Sequence, residues 1–171
     1  MLKVWIANLG KYNEGNLVGE WIDLEECGDF ETAWDELKQA IGLDGERYEE
    51  WACFDWDCDI PGLKYTEWPD IEELHDIAQE WAALDDSERA AVGARMEHLS
   101  EDFAEALDGK DDVIDHGFTT MADIAEELFE SCCYDVPEPV AFYIDFGKWG
   151  RDLEMEGDFC ETADGRILEF V

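Results

Sequence analysis

The chain is poor in positive charge. Its 171 residues hold 11 Lys and Arg against 47 Asp and Glu, a formal net charge of −36 at pH 7. The isoelectric point lies near 4.1. Phosphate binding needs clustered Lys and Arg, so this balance excludes nucleic acid as a ligand. It excludes an anionic membrane surface on the same ground. Long apolar runs are missing too, and none approaches the roughly 20 residues of a membrane span. Residues 1–9 carry one Lys and a short apolar alternation, without the h-region or cleavage site of a secretory signal. A cytoplasmic protein is expected, with no membrane among its partners.

The hallmarks of catalysis are equally thin. There are three His (His75, His98, His116) and three Ser (Ser87, Ser100, Ser131), none set in a recognisable motif. No G-x-S-x-G surrounds a serine, and no Walker or Rossmann glycine pattern occurs. The six Cys are Cys27, Cys53, Cys58, Cys132, Cys133 and Cys160. They form no CxxC pair, and no His stands at zinc-finger spacing, so a structural zinc site is not expected. In a reducing compartment they read as small buried hydrophobes. Asp55, Asp57 and Asp59 suggest a calcium loop, but the sixth and twelfth places hold Ile60 and Thr66 where an EF-hand needs Gly and Glu. With 47 carboxylates, close acid pairs arise by chance and say little about acid–base chemistry. A two-metal carboxylate nuclease is the enzyme reading to weigh. It would need Lys or Arg to hold phosphates, and this chain would repel its substrate. No enzymatic activity, metal or cofactor is expected.

Acidic and aromatic residues are abundant. Apolar residues make up 46 %, with 8 Trp, 9 Phe and 5 Tyr, enough for a core and too many for a disordered acidic tail. Charge concentrates in residues 66–135, where 22 Asp and Glu face only Arg89, Arg95 and Lys110, a net −19. That stretch also carries Ile71, Leu74, Ile77 and Trp81, then Met121, Ile124, Ala125, Leu128 and Phe129, at helical spacing. The acids therefore sit on folded helices. Glu72, Asp76 and Glu80 fall at i, i+4 and i+8, Asp123 pairs with Glu127, and Glu126 with Glu130. Like charges at i, i+4 destabilise a helix by about 0.2–0.5 kcal/mol each. An acidic solvated face is the plain alternative, but an ordinary one would intersperse Lys and Arg.

Taken in order, the chain predicts an α+β protein, an elongated run of three small domains. Residues 1–61 read as β-β-α-β: strands over 2–9, 17–24 and 50–57, a loop over 10–16, and a helix with Asp29 as N-cap and Gly42 closing it. Residues 62–108 read as an all-helical acidic module. Pro69 and Asp70 open its first helix, and Asp85 with Glu88 resembles a capping box for the next. Ala90, Ala91, Ala94 and Leu99 give that helix a packing face, and a third helix covers 100–107. Residues 109–171 read as an α+β domain. It has a short strand within 113–118, a helix over 121–133 capped by Thr120, and a short helix over 140–146. A terminal hairpin, 153–161 with 166–170, turns at Asp164 and Gly165. Cys132 and Cys133 end the helix, with at least one facing the core.

The charge has a length equivalent. Duplex DNA carries one negative charge per about 1.7 Å of axis, so −36 corresponds to about 61 Å, or about 18 base pairs. Four residues of helix rise about 6 Å, comparable to the step between phosphates on one strand. Carboxylates at i, i+4 can thus imitate a phosphate row. A basic DNA-binding groove would gain counterion-release affinity and steered association from such a surface.

The run Trp5-Ile6-Ala7-Asn8-Leu9-Gly10-Lys11-Tyr12-Asn13-Glu14-Gly15, followed by Leu17, Val18, Gly19 and Trp21, resembles the N-terminal signature of the ArdA antirestriction proteins. Tyr143, Ile144 and Asp145, then Trp149, Gly150, Arg151, Asp152 and Leu153, resemble that family's C-terminal pattern. The middle, 66–118, is similar only in character. The resemblance implies a non-enzymatic mimic of bent B-form DNA, built of three small domains. It implies a homodimer whose contacts come from about 110–171. It implies occupation of the DNA-binding groove of type I restriction–modification enzymes, on their specificity and modification subunits, so that incoming mobile DNA escapes restriction. Such proteins travel on plasmids and conjugative transposons. The family's antirestriction motif falls loosely near 121–133. Gly10, Asn13, Gly15, Gly150 and Arg151 carry the resemblance but read physically as turn and packing residues. The expected partner-facing acids are Asp70, Glu72, Glu73, Asp76, Glu80, Asp85, Asp86, Glu101, Asp102, Glu105, Asp111, Asp112, Asp115, Asp123, Glu126, Glu127 and Glu130.

Two other readings compete. A halophilic cytoplasmic protein would also be acidic and low in Lys, but such proteins avoid large apolar residues, and this chain is rich in Trp and Phe. An acidic chaperone of a basic DNA-binding protein would share the charge but bind many basic proteins, whereas a mimic shaped like duplex should prefer the owners of DNA-binding grooves.

Overall fold

A computed structural model of the chain describes residues 1–132 and 136–171. By contacts it divides into two compact units, Met1–Asp85 and Asp86–Val171.

In the first unit, period-two alternation makes β1 (Leu2–Asn8), which buries Leu2, Val4 and Ile6 while Lys3 and Trp5 point the other way. It is the middle strand of an antiparallel sheet in the order β2-β1-β3, with β2 spanning Gly19–Asp23 and β3 Trp51–Cys58. A register shift between Trp5 and Ile6 sets them opposite Asp55 and Cys53, which leaves Phe54 as the extra residue of a bulge. A single turn of helix, α1 (Leu9–Asn13), follows β1 where a loop was expected over 10–16. The cause is Asn8, whose side chain caps it by accepting from the Lys11 N–H at 2.9 Å.

Helix α2 (Phe30–Ile41) lays Leu37 and Ile41 into the core and packs against β2. Asp29 caps its start by accepting from the Thr32 N–H, and Gly42 closes it in the left-handed conformation. Helix α3 (Ile71–Ala83) starts at Asp70, whose carboxylate accepts from the N–H groups of Glu72 and Glu73. It buries Ile71, Leu74, Ala78 and Trp81. The Gln79 amide donates to Leu24 O (2.9 Å) and Glu25 O (3.0 Å), and His75 stacks on Phe30 with ring centroids 5.2 Å apart.

In the second unit, α4 (Asp86–Ala94) buries Ala91, Val92, Gly93 and Ala94. It then widens into a π turn over Arg95–Leu99. The wider turn breaks the helical spacing, so Leu99 leaves the expected packing face and is exposed. Helix α5 (Phe103–Asp108) begins with a reciprocal capping box between Asp102 and Glu105. A 3-10 turn over Lys110–Asp112 leads into β4 (Val113–Asp115). Thr120 caps α6 (Met121–Ser131), after which come α7 (Glu138–Ala141), α8 (Phe146–Glu156), β5 (Phe159–Glu161) and β6 (Ile167–Phe170). The three strands form a second antiparallel sheet in the order β4-β6-β5. Ala94, Cys160 and Leu168 are buried together, with Ala90, Val113 and Phe170 against them.

By contacts α3 falls in the unit of the first sheet, and α4 and α5 in the unit of the second. The architecture is α+β, as expected, but two further segments differ. The expected strand over 153–161 begins only at Phe159, because residues 153–156 are the last turn of α8. The expected short helix over 140–146 is replaced by α7 and the start of α8. Cys132 is exposed, so it is not the core-facing cysteine, and Cys133 lies outside the described residues. Among the described residues no helix is long and apolar enough to cross a membrane.

Candidate functional site: the acidic surface

Of the seventeen acids expected to face a partner, all but Glu101 are exposed. They do not share one role. On α3, Asp70 is held as the N-cap, whereas Glu72, Asp76 and Glu80 rise along the helix one turn apart. On α6, Glu126, Glu127 and Glu130 are exposed on the helix, and Asp123 accepts from the Thr120 hydroxyl in the first turn. Asp102 and Glu105 cap α5. Asp115 accepts from the Gly117 N–H at 2.8 Å and lies 3.5 Å from Arg166. Asp111 lies 3.6 Å from Lys110. Among the described residues, Glu72, Glu73, Glu80, Asp86, Asp112, Glu126 and Glu130 have no cationic partner.

Glu101 is the exception. Its carboxylate takes two parallel bonds from Arg95, Nε at 2.8 Å and Nη2 at 2.8 Å, and both side chains are largely buried. The guanidinium packs over Gly109, where an added Cβ would come within 2.4 Å of Arg95 Cζ. This pair closes the π turn onto α5. Its geometry is that of a bidentate structural bridge.

The cations are mostly engaged inside the protein. Lys3 pairs with Asp23 (2.6 Å), Lys38 with Asp35 (2.6 Å), Arg47 with Glu14 (2.8 Å), Lys110 with Glu88 (3.5 Å) and Arg166 with Asp164 (2.8 Å). Lys11 donates instead to Ile41 O at 2.9 Å. Few positive side chains are left to neutralise the acids on the helices. At three such acids the contact lowers the carboxyl's pKa. Arg166 and then Thr162 pull the Asp164 carboxyl down to about 2. The backbone N–H groups of Tyr48, Glu46 and Arg47 lower Asp44, and Arg47 with Tyr48 lowers Glu14. These groups are anionic at any physiological pH.

His116 bridges two acids, with Nδ1 3.0 Å from Glu127 and Nε2 2.7 Å from Glu169. It ties α6 to β6. Asp55 and Asp57 lie exposed along β3, and Asp59 pairs with the amino terminus. Among the described residues no group of three or more His, Cys, Asp and Glu is placed to hold a metal ion.

The strand expected over 153–161 hid further acids. As helix, α8 exposes Asp152, Glu154 and Glu156. The signal was present in Phe146, Trp149, Gly150 and Leu153, which recur at helical spacing. Gly150 is where α8 meets α6: a Cβ there would lie 2.5 Å from Met121 O. Gly10 sits under the Tyr48 ring, 2.7 Å from such a Cβ. Both motif glycines are packing residues, set apart from the exposed acids.

A family model described as Antirestriction protein (ArdA) matches residues 4–167, across both compact units. No curated protein matches the chain.

Proposed function

The chain belongs to the ArdA antirestriction family, and from that premise we propose that it is a non-enzymatic mimic of bent B-form DNA. It occupies the DNA-binding groove of a type I restriction–modification enzyme, against the specificity and modification subunits, and protects incoming mobile DNA in the host cytoplasm. It acts as a homodimer joined through residues 109–171.

The observation that carries this reading is the exposed, helix-mounted row, in which Glu72, Glu80, Glu126 and Glu130 have no cationic partner among the described residues. Glu72, Asp76 and Glu80 stand one helical turn apart on α3, and Glu126 and Glu130 on α6, all exposed. A turn of helix rises about 5.4 Å, so each row presents charge at roughly the pitch of a phosphate strand. The chain forgoes the Lys and Arg that would stabilise these helices, which is the arrangement expected when the charge itself is the product of selection. The acids that cap helices still add to the field, since a capping carboxylate keeps its charge. Glu101 is set aside as structural.

The test is competition. A purified type I methyltransferase core is bound to labelled target duplex, and the protein is titrated in at two salt concentrations. Displacement near stoichiometry that weakens steeply with salt is the expected result. No displacement at either salt, from a folded sample, would move the assignment to a different basic partner.

A further inference from the structure

The first unit holds an aromatic groove that shares only Glu72 with the row of acids on α3. Its lining brings the rings of Phe30, Trp34 and Trp51 together with the acids Glu31, Asp35, Asp70 and Glu72 and with Lys38. Its volume is about 570 Å³, within the roughly 300–1,000 Å³ of side-chain-sized and small-ligand sites. The aromatic rings are ordered against one another. Phe30 and Trp34 lie nearly parallel with centroids 6.4 Å apart, and Trp51 meets Trp34 edge-on at 5.2 Å. All three are only half-buried.

We propose that this groove receives an arginine side chain of the basic protein partner, the guanidinium stacking on Trp34 between the carboxylates of Glu31 and Glu72. Three observations support it. Four carboxylates surround three aromatic rings, and a cation over an indole face is the strongest pairing of this kind. Neither Glu31 nor Glu72 has a cationic partner among the described residues. And the protein already seats one cation here: Lys38 Nζ lies 6.0 Å from the Trp34 ring centroid while bonding Asp35 at 2.6 Å. The N-termini of α2 and α3 open onto the groove and would alone favour an anion. Asp29 already accepts from the Thr32 N–H and Asp70 from those of Glu72 and Glu73, and the first-turn acids Glu31, Glu72 and Glu73 oppose the positive end of each helix. Arginine fits better than lysine because its planar, weakly hydrated head stacks on a ring while its edge N–H groups reach two carboxylates. The site would act as an anchor within an otherwise distributed charge match.

This inference rests on the partner presenting basic side chains, as the mimic reading requires, but its first test is independent of that reading. The full chain, labelled on the indole nitrogens, is titrated with N-acetyl-arginine amide and with its neutral citrulline counterpart, and the Trp N–H signals are followed by NMR. The Trp34 and Trp51 signals should move saturably with the arginine compound alone, while exposed Trp21 and Trp68 stay. Equal movement with citrulline, or across all tryptophans, would overturn the groove. The second test is the duplex competition. Trp34→Leu should weaken displacement about tenfold, and Trp21→Leu should leave it unchanged. Should Trp34→Leu not fold, the surface pair Glu31→Gln with Glu72→Gln takes its place, against the charge-matched control Glu126→Gln with Glu130→Gln. Equal loss in both pairs would overturn the groove and leave the mimic standing. Absence of displacement by the unaltered protein would remove the mimic, and the arginine titration would then decide the groove alone.

Discussion

Asn8 shows how much one polar side chain holds together. It has no solvent exposure, accepts from Lys11 N–H, and donates to Ile41 O and Gly42 O at 3.2 Å each. It starts α1 and ends α2 at once. Asn8→Ala should cost about 2–4 kcal/mol, from a lost cap and from Gly42 O losing its amide donor, while Ile41 O keeps Lys11 Nζ. Asn8→Asp keeps the cap but sets a buried charge against two carbonyls, and should cost more. Urea midpoints of the two variants check the order. Asp164 makes the corresponding case for charge. Its carboxyl is held at about 2 against 3.8 for the free group. Because the folded value is the lower one, its contribution is complete above about pH 4 and is lost as pH falls through about 2. A carboxyl-carbon NMR titration should place the midpoint near 2, and Arg166→Ala should return it toward the ordinary value.

Among the elements, the helices divide by what their acids do. Glu101 bonds Arg95 beneath the π turn, so Glu101→Gln should destabilise the second unit by about 1.5–3 kcal/mol, the worth of a charged hydrogen bond. Inhibition per folded molecule should be unchanged. Glu80 has the opposite profile. It is exposed in the last turn of α3, one turn after Asp76. Glu80→Lys replaces a repulsion with an i, i+4 attraction and places a cation at the helix C-terminus, a gain of about 0.5–1 kcal/mol. The variant should melt higher and inhibit less well, and a thermal melt beside the duplex competition reads both. A variant that inhibits better would show that α3 faces away from the partner. Element boundaries were legible where the signal was local. Asp29 and Gly42 bracket α2, and Thr120 starts α6, as the chain order indicates. Helix α8 was not, because Asp152 to Glu156 alternates acid and apolar residues like a strand. The helix wins because Gly150 lets it approach α6, while Met155 is left exposed.

At the scale of the whole molecule the excess of charge opposes folding. With 47 acids against 11 Lys and Arg, self-repulsion is screened as the Debye length falls from about 30 Å at 0.01 M to about 10 Å at 0.1 M salt. Melting temperature should therefore rise with salt while displacement of duplex from the partner weakens. The two slopes have opposite signs because salt screens repulsion within the protein and attraction between proteins alike. A halophilic protein would instead unfold at ordinary ionic strength. Since the field is a sum, single acid-to-neutral changes on α6 should alter inhibition little, and the carboxylates that cap helices should matter more to stability than to binding.

Composition and spacing alone determined the sign of the surface, the acids at helical steps on α3 and α6, and the two terminal motifs of the family. These are properties of neighbours along the chain, where a few residues set charge, period and cap. The tertiary structure decided which acid is structural, where α8 replaces a strand, and how the helices divide between two sheets. Arg95 reaches Glu101 only across a π turn, Gly150 has meaning only against Met121, and Asn8 caps one helix while closing another 33 residues on. Each depends on groups that folding alone brings together.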